Sequence, residues 1–395
     1  MNISLTTDQY NALNKLVKWY IKGSQQIIDL SGPIYTGTWD IIQVFIDHIG
    51  LDPREVMYLS YDQKQVLELA AKRIHAYYIN GKLYKYTRNV NFDSLSVINP
   101  DSKYLEYKWT KSIRKKIDPR YRLIVVLDSV LINEKVLWDL SSYGLPILLI
   151  RDPYLLPSGD SYVYTREPNI TLRENAPSLI NNPIYFMAES IITDRKLSPG
   201  TFGNVSIIKR KDMNLYNIKS SSMNIAMNET TRDTITQVYR SKVLKSNPMI
   251  TLPNERVYVA SNHYSEVIIN EDEKNIKVYL MQGITGTLTK INRHFPITRY
   301  VGCDFQPDFY FEPFVELYMD RNYLNRVNTQ SRQIIPDETI LFEYAYALTP
   351  QKARMSHWDN VTIVLECNDE FDRELQKVMY YTAITRATKS LTLVI

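Results

Sequence analysis

Apolar positions along the chain follow two rhythms. Over residues 8–21, Tyr10, Leu13, Leu16, Val17 and Tyr20 recur at helical spacing behind the cap candidates Thr6, Thr7 and Asp8, which predicts a helix. Residues 26–30 form a short apolar run (Ile27, Ile28, Leu30) of the kind a buried strand makes. It passes through Ser31-Gly32-Pro33 into a helical pattern over 39–49. A second strand is expected at 56–60, a helix at 63–78, and fully apolar strands at 123–127 and 147–150. Strands alternating with helices predict a parallel sheet with right-handed crossovers.

Between 80 and 116 the pattern changes to polar and aromatic alternation without a helical period, as in a hairpin insertion, and its end is strongly basic. A second α/β section begins near Ile170, with a helix at 184–192 and a strand at 256–260. Residues 278–297 alternate apolar and polar positions around Gly283 and Gly286, a small β-domain pattern. Buried strands return at 344–348, 361–365 and 391–395. The expected division is a first domain at 1–165 carrying the insertion at about 80–116, a second at 166–265 plus 340–395, and a β insertion at 266–339. No internal repeat, low-complexity tract or tail is expected.

Composition narrows the classes. The 395 residues, 44% of them apolar, supply material for several cores. The net charge of +4 is too small to argue for a polyanion-binding coat, although a local basic stripe remains able to bind one. Two cysteines, Cys303 and Cys367, exclude a disulfide framework and a Cys-rich zinc site and suit a reducing compartment, so a cytoplasmic setting is expected. The longest apolar runs fall far short of the roughly 20 residues of a membrane span. His48, His263, His294 and His357 lack metal-ligand spacing, and no Ser, His, Asp constellation is apparent. The 30 Tyr, with many Ile, Asn and Lys, match an AT-rich genome such as that of a virus or phage.

A strand ending in Leu30-Ser31-Gly32-Pro33-Ile34-Tyr35-Thr36-Gly37-Thr38-Trp39 and opening a helix is the setting of a phosphate-binding loop, where backbone N–H groups and a helix N-terminus cradle phosphate. Gly32 and Gly37 fit G-x-x-x-x-G-K-[ST]. Thr38 stands where the lysine belongs and Trp39 where the magnesium-binding hydroxyl belongs.

Four further segments, the first upstream of the loop and the others after it, stand in order along the chain. They are Leu5-Thr6-Thr7-Asp8-Gln9, Val125-Val126-Leu127-Asp128-Ser129, Arg151-Asp152-Pro153-Tyr154-Leu155-Leu156-Pro157 and Tyr380-Tyr381-Thr382-Ala383-Ile384-Thr385-Arg386-Ala387. The ordered set resembles the motifs of superfamily 1 DNA helicases, most closely the RecD-like and Dda-like branch that moves 5′ to 3′, over nearly the whole chain. The resemblance implies an α/β P-loop NTPase fold: two RecA-like parallel-sheet domains, a hairpin insertion in the first and a small SH3-like β insertion in the second. It places Gln9 at the adenine-reading glutamine and Arg386 at the arginine that reaches the γ-phosphate. A helix cap for Gln9 and a plain ion pair for Arg386 are the alternatives.

Several of the family's chemical groups are replaced. Leu127-Asp128 stands for Asp-Glu, or Ser129 for the glutamate if the register shifts by one. Leu155 replaces the glutamine and Arg151 the glycine of Gly-Asp-x-x-Gln-Leu-Pro. Leu172, Glu174 and Pro177 occupy a Leu-x-Glu-x-x-Arg frame, and 351–356 retains only Lys352 and Ser356 of His-Lys-x-Gln-Gly-Ser.

Removing one preorganised electrostatic partner costs roughly 10² to 10³ in rate, and several are missing together. The expectation is therefore a degenerate nucleotide site (Gln9, Gly32, Gly37, Thr38, Trp39, Asp128, Asp152, Arg386) with no catalytic residues. Metal would be absent and ATP and magnesium binding lost or weak, in a pseudo-helicase without ATPase activity. Its role would be a binding scaffold with protein partners in a replication, repair or transcription complex. The alternatives are an active 5′ to 3′ helicase with displaced catalytic groups and a purely protein-binding module. Single-stranded nucleic acid would meet Ser60, Tyr61, His75, Lys108, Trp109, Lys111, Arg114 and Lys352, pairing phosphate neutralisation with base stacking. For the basic stretch a solvated face, and for His75 a plain structural histidine, are the alternatives.

Overall fold

In the computed structural model, every residue is described except 1–3, 89–108, 114–116, 158–166, 248–249, 262, 272–273, 281, 292–298, 309–312, 327–338 and 367–371. The chain divides into two compact units. One comprises Met1–Leu83, Lys115–Asp233 and Leu348–Ile395, and the other Tyr84–Arg114 and Thr234–Ala347.

The elements run α1 (Thr7–Lys22), β1 (Ile27–Ser31), α2 (Thr38–His48), β2 (Val56–Ser60), α3 (Gln63–Ala71), β3 (Ala76–Tyr78), α4 (Ile79–Leu83), β4 (Tyr84–Arg88), β5 (Trp109–Ile113), β6 (Leu123–Leu127), α5 (Glu134–Ser141), β7 (Ile147–Arg151) and β8 (Ile170–Thr171). Next come α6 (Pro183–Ile192), β9 (Gly200–Phe202), β10 (Val205–Ile208), α7 (Leu215–Ser220), β11 (Met223–Ala226), α8 (Glu229–Val238), β12 (Arg256–Val259), β13 (His263–Glu271), β14 (Lys274–Leu280), β15 (Thr285–Ile291), β16 (Tyr300–Pro307) and β17 (Phe314–Asp320). The chain closes with α9 (Arg321–Leu324), β18 (Thr339–Ile340), β19 (Phe342–Tyr344), β20 (Ala347–Leu348), α10 (Pro350–Ala353), β21 (Trp358–Val364), α11 (Arg373–Ile384) and β22 (Ala387–Val394).

The first unit holds two α/β layers. Its first sheet has the order β3-β2-β6-β7-β1-β8 with parallel pairings throughout. Its second has the order β20-β11-β21-β22-β10-β9, parallel from β11 to β10 and antiparallel at β9. The uninterrupted apolar runs explain this: β2, β6 and β7 are buried at every position, as strands covered on both faces must be. Leu30, Ile41, Phe45, Leu123, Val125 and Leu148 form the core beneath α1 and α2.

A capping box starts α1: Gln9 N–H bonds the Thr6 hydroxyl, and the Gln9 amide oxygen accepts from Thr6 N–H at 2.9 Å. The helix expected over 63–78 stops at Ala71, because Arg73 adopts φ +60° and the chain turns into β3. Ala76, Tyr77 and Tyr78 then pair with β2 as an edge strand.

In the second unit, the sheet order is β18-β17-β16-β15-β12-β19, antiparallel except at β17 and β18. Residues 256–260, expected in the second α/β section, contribute β12 to this sheet instead. Val257 is paired on both sides, to Gly286 and to Tyr344, and those antiparallel partners are what a local apolar run cannot specify. Phe305, Phe314 and Phe342 fill the core of the sheet. Two hairpins, β4 with β5 and β13 with β14, stand apart from it. Among the described residues, no helix is long and apolar enough to cross a membrane.

Candidate functional site

Parallel sheets place ligands beyond the carboxyl ends of their strands. In the first sheet that edge carries the loop after β1 (residues 32–37), Ser60 to Asp62 after β2, Asp128 after β6 and Asp152 after β7. Ser31 pairs with Arg151, so the loop and Asp152 emerge side by side, and Gly32 N–H bonds Arg151 O at 3.0 Å. Arg151 itself is buried and ion-paired to Asp29 at 3.4 Å, a structural use for the residue that replaces a glycine in the motif.

The loop is closed on itself. Thr36 Oγ1 donates to Pro33 O at 2.7 Å, and Gln9 Nε2 donates to Thr36 O at 2.8 Å. A Cβ on Gly32 would run into the Thr36 hydroxyl. Gly37, at φ +66°, would place one 2.9 Å from Ala176 Cβ and 3.0 Å from Gln9 Nε2. The glycines thus serve close packing as well as backbone shape. Both ends of the Gln9 amide are engaged, by the α1 cap and by the loop. Thr38 opens α2, and Trp39 packs against Tyr58, with ring centroids 5.8 Å apart, at the margin of the core.

Ile34 N–H donates to Asp152 Oδ2 and to the Tyr381 hydroxyl oxygen, each at 3.0 Å. Tyr381 O–H donates to the same Asp152 oxygen at 2.6 Å. Tyr381 lies on α11, and the neighbouring α11 residue Thr382 accepts from Leu156 N–H at 2.9 Å. Arg354 Nη1 donates to Leu156 O and Pro157 O at 3.1 Å. From the other side, α3 reaches toward residues 352–357. Lys64 Nζ donates to Lys352 O at 3.1 Å and Arg354 O at 2.6 Å, while Glu68 accepts from His357 N–H and meets its Nδ1, both at 2.9 Å.

Several polar atoms in this cleft are left without hydrogen-bond partners. Arg386 is 4% exposed; its Nη2 bonds Thr385 Oγ1, whereas Nε and Nη1 have none. Gln65 Oε1, Asp128 Oδ2, Ser129 Oγ and Ser356 Oγ are likewise buried and unbonded. An unsatisfied buried polar group is destabilising by roughly 1–3 kcal/mol, and more when charged, so a concentration of them marks a surface that a ligand would complete.

Electrostatics agree. Burial pushes the Asp128 carboxyl up to about 7, against its bond to Gln65 and the attraction of Arg386. Burial pushes Asp152 up to about 6, against its bond from Tyr381. Burial lowers the pKa values of Arg386, Lys64 and His357, and raises that of Tyr381. Perturbed groups gathered in one cleft are a functional-site signature. Among the described residues, no three or more His, Cys, Asp or Glu side chains are grouped to hold a metal ion.

The expected nucleic-acid residues scatter. Ser60 is buried in a turn with Asp62, and Tyr61 packs with Val130, Leu131, Leu155 and Met355. His75 is exposed beside β3, and Lys352 pairs with Glu229 at 3.0 Å. Trp109 and Lys111 lie on β5 opposite Arg88 and Tyr86, and Lys108 and Arg114 fall outside the described residues. The motifs did not single out Lys64, Gln65, Glu68, His357 or the role of Tyr381. Lys64 and Glu68 stand four apart on α3, a spacing that puts both on one helix face, but nothing in the sequence marks that face as buried.

Residues 316–395 match the family of viral superfamily 1 RNA helicase core domains. A structure of two coordinating Pif1 helicases unwinding forked double-stranded DNA is 11% identical to this chain. The likeness covers 99% of this chain and 92% of that one, with a TM-score of 0.52. Pif1 from Bacteroides in complex with ADP-AlF3 and single-stranded DNA is 10% identical over 99% and 92% of the two chains (TM-score 0.48), and Pif1 from Candida albicans 12% over 99% and 95% (TM-score 0.44). Among curated proteins, none matches the chain. The match at 316–395 likens that part of the chain to a superfamily 1 helicase core domain. The chain's α/β architecture of two RecA-like domains is that of the Pif1 helicase with the TM-score of 0.52.

These matches overturn the expectation that the chain is not an enzyme. The model matched at 316–395 is of a helicase core domain, and the structure with the TM-score of 0.52 is of Pif1 helicases that unwind forked DNA. Substitutions in the loop leave in place the buried Arg386 across from it, whose Nε and Nη1 have no hydrogen-bond partner. The lysine missing from the loop does not leave the site without buried cations, because Lys64 of α3 and Arg386, just before β22, are both buried there.

Proposed function

We propose that this superfamily 1 helicase-like chain is a nucleoside-triphosphate-dependent motor acting on single-stranded nucleic acid, with weak nucleotide binding at rest. The observation that carries the reading is the buried Arg386 guanidinium, with Nε and Nη1 unbonded among Asp128, Asp152 and Glu68. Such a group fits an anion arriving from solution, since a phosphate oxygen would complete it. A bound triphosphate supplies free energy through cleavage of its terminal phosphoanhydride. Arg386 would hold the phosphate end by donating from Nε and Nη1. Asp128, whose carboxyl titrates at about 7, is placed to take a proton from water on Oδ2 near neutrality. Gly32 and Gly37 hold the loop at the helix N-terminus.

Support for a single-strand substrate comes from the relatives: a Pif1 structure contains single-stranded DNA, and the matched core family is of RNA helicases. On this chain Lys72 and Arg73 are exposed just before the edge strand β3 and supply positive charge there, with the exposed His75 beside them. The test is ATP hydrolysis by the purified chain with and without single-stranded DNA or RNA. Slow turnover, raised by the strand and reduced roughly 10² to 10³-fold by Arg386→Ala, is expected. Absence of hydrolysis together with a strand affinity indifferent to ATP would overturn the reading.

A further inference from the structure

The phosphate loop is engaged by the chain's own carboxylate. Asp152 Oδ2 accepts from Ile34 N–H and Tyr381 O–H, and Oδ1 accepts from Tyr154 N–H at 3.0 Å. A loop N–H at the carboxyl edge of a parallel strand is the donor that a phosphate oxygen uses, and a carboxylate oxygen meets the same geometric demand. We infer that Asp152 and Tyr381 form an intramolecular latch that occupies the anion seat of the loop, so that a nucleotide enters only when the latch opens.

The latch spans two α/β layers. Ile34 and Asp152 follow adjacent strands of the first sheet, β1 and β7, and are brought together by its register. Tyr381 comes from α11, which packs with the second sheet. Thr382 and Arg354 hold residues 156–157 from the same side, so these contacts give way together with that of Tyr381 when α11 draws away from the first sheet. Nucleotide entry and separation of the two layers are then one event. This also accounts for a loop that keeps the glycines of a phosphate cradle and yet has its polar groups satisfied internally.

The inference rests on the proposed function, and its experiment separates the two. Affinity for a fluorescent ATP analogue is measured for the full chain and for Asp152→Ala and Tyr381→Phe. Tyr381→Phe keeps the buried ring and removes only the hydroxyl. Thermal unfolding checks that each variant is folded, and hydrogen exchange is followed over residues 32–38. Both variants are expected to bind at least tenfold more tightly than the parent, with faster exchange in the loop before nucleotide is added. Binding by the parent that is unchanged or weakened in both variants overturns the latch and leaves the proposed function standing. No binding by the parent or by either folded variant at millimolar nucleotide overturns both.

Discussion

The two faces of the cleft use their polar groups in opposite ways. On the first sheet, the loop residues 32–37 find partners in Gln9, Asp152 and one another, leaving a self-contained turn. On the second, Arg386 is buried to 4% exposure with two of its nitrogens unbonded. The face with the recognisable motif has its polar groups satisfied, and the face with one surviving arginine does not. Motif loss on one side of an interdomain site therefore does not measure what the whole site can bind.

The contrast breaks most completely at Arg386. Arg386→Ala is expected to lower strand-stimulated ATP hydrolysis roughly 10² to 10³-fold, in a steady-state assay, without unfolding the sheets. Next in size is Gly37→Ala. A Cβ there meets Ala176 and Gln9 at a left-handed φ, so a loss of about 1–3 kcal/mol is expected in denaturant titration.

A smaller effect is expected at Asp128. Its folded-state pKa of about 7 lies above the ordinary 3.8, so the folded chain holds a proton that the unfolded chain releases. Stability therefore falls as pH rises from about 4 through 7. Asp128→Asn, which tolerates the left-handed φ of +52°, is expected to stabilise the chain by about 1–2 kcal/mol at pH 8, less at pH 5 and hardly at pH 4. Thermal unfolding across that range would show it, and a gain independent of pH would remove the titration account. Smallest is the surface: Lys72→Ala with His75→Ala should weaken single-strand binding at low salt and reduce the slope of log affinity against log salt by about 1.

The fold was legible because its strands are short, mostly apolar runs: β2, β6 and β7 are buried at every position, β1 is interrupted only by the ion-paired Asp29, and their alternation with helices dictates parallel pairing. Local pattern failed where a partner decides. The helical period after Ala71 continues in the sequence, but Arg73 turns left-handed and Tyr77 takes a place beside Leu59. Arg256–Val259 resembles any buried strand until its antiparallel neighbours are known. At the site, Gly32, Asp128, Asp152 and Arg386 were identifiable by order along the chain. The contribution of Lys64, Glu68 and His357 depends on contacts between residues nearly 300 positions apart, which no spacing encodes.

The most direct measurement is a crystal structure of the chain with ADP, a phosphate mimic such as aluminium fluoride and a short single-stranded oligonucleotide. The account predicts the mimic bonded to Arg386 Nε and Nη1, with Ile34 N–H released from Asp152 and Tyr381. Nucleotide bound elsewhere, with Arg386 still unbonded and the Ile34, Asp152 and Tyr381 contacts intact, would contradict it.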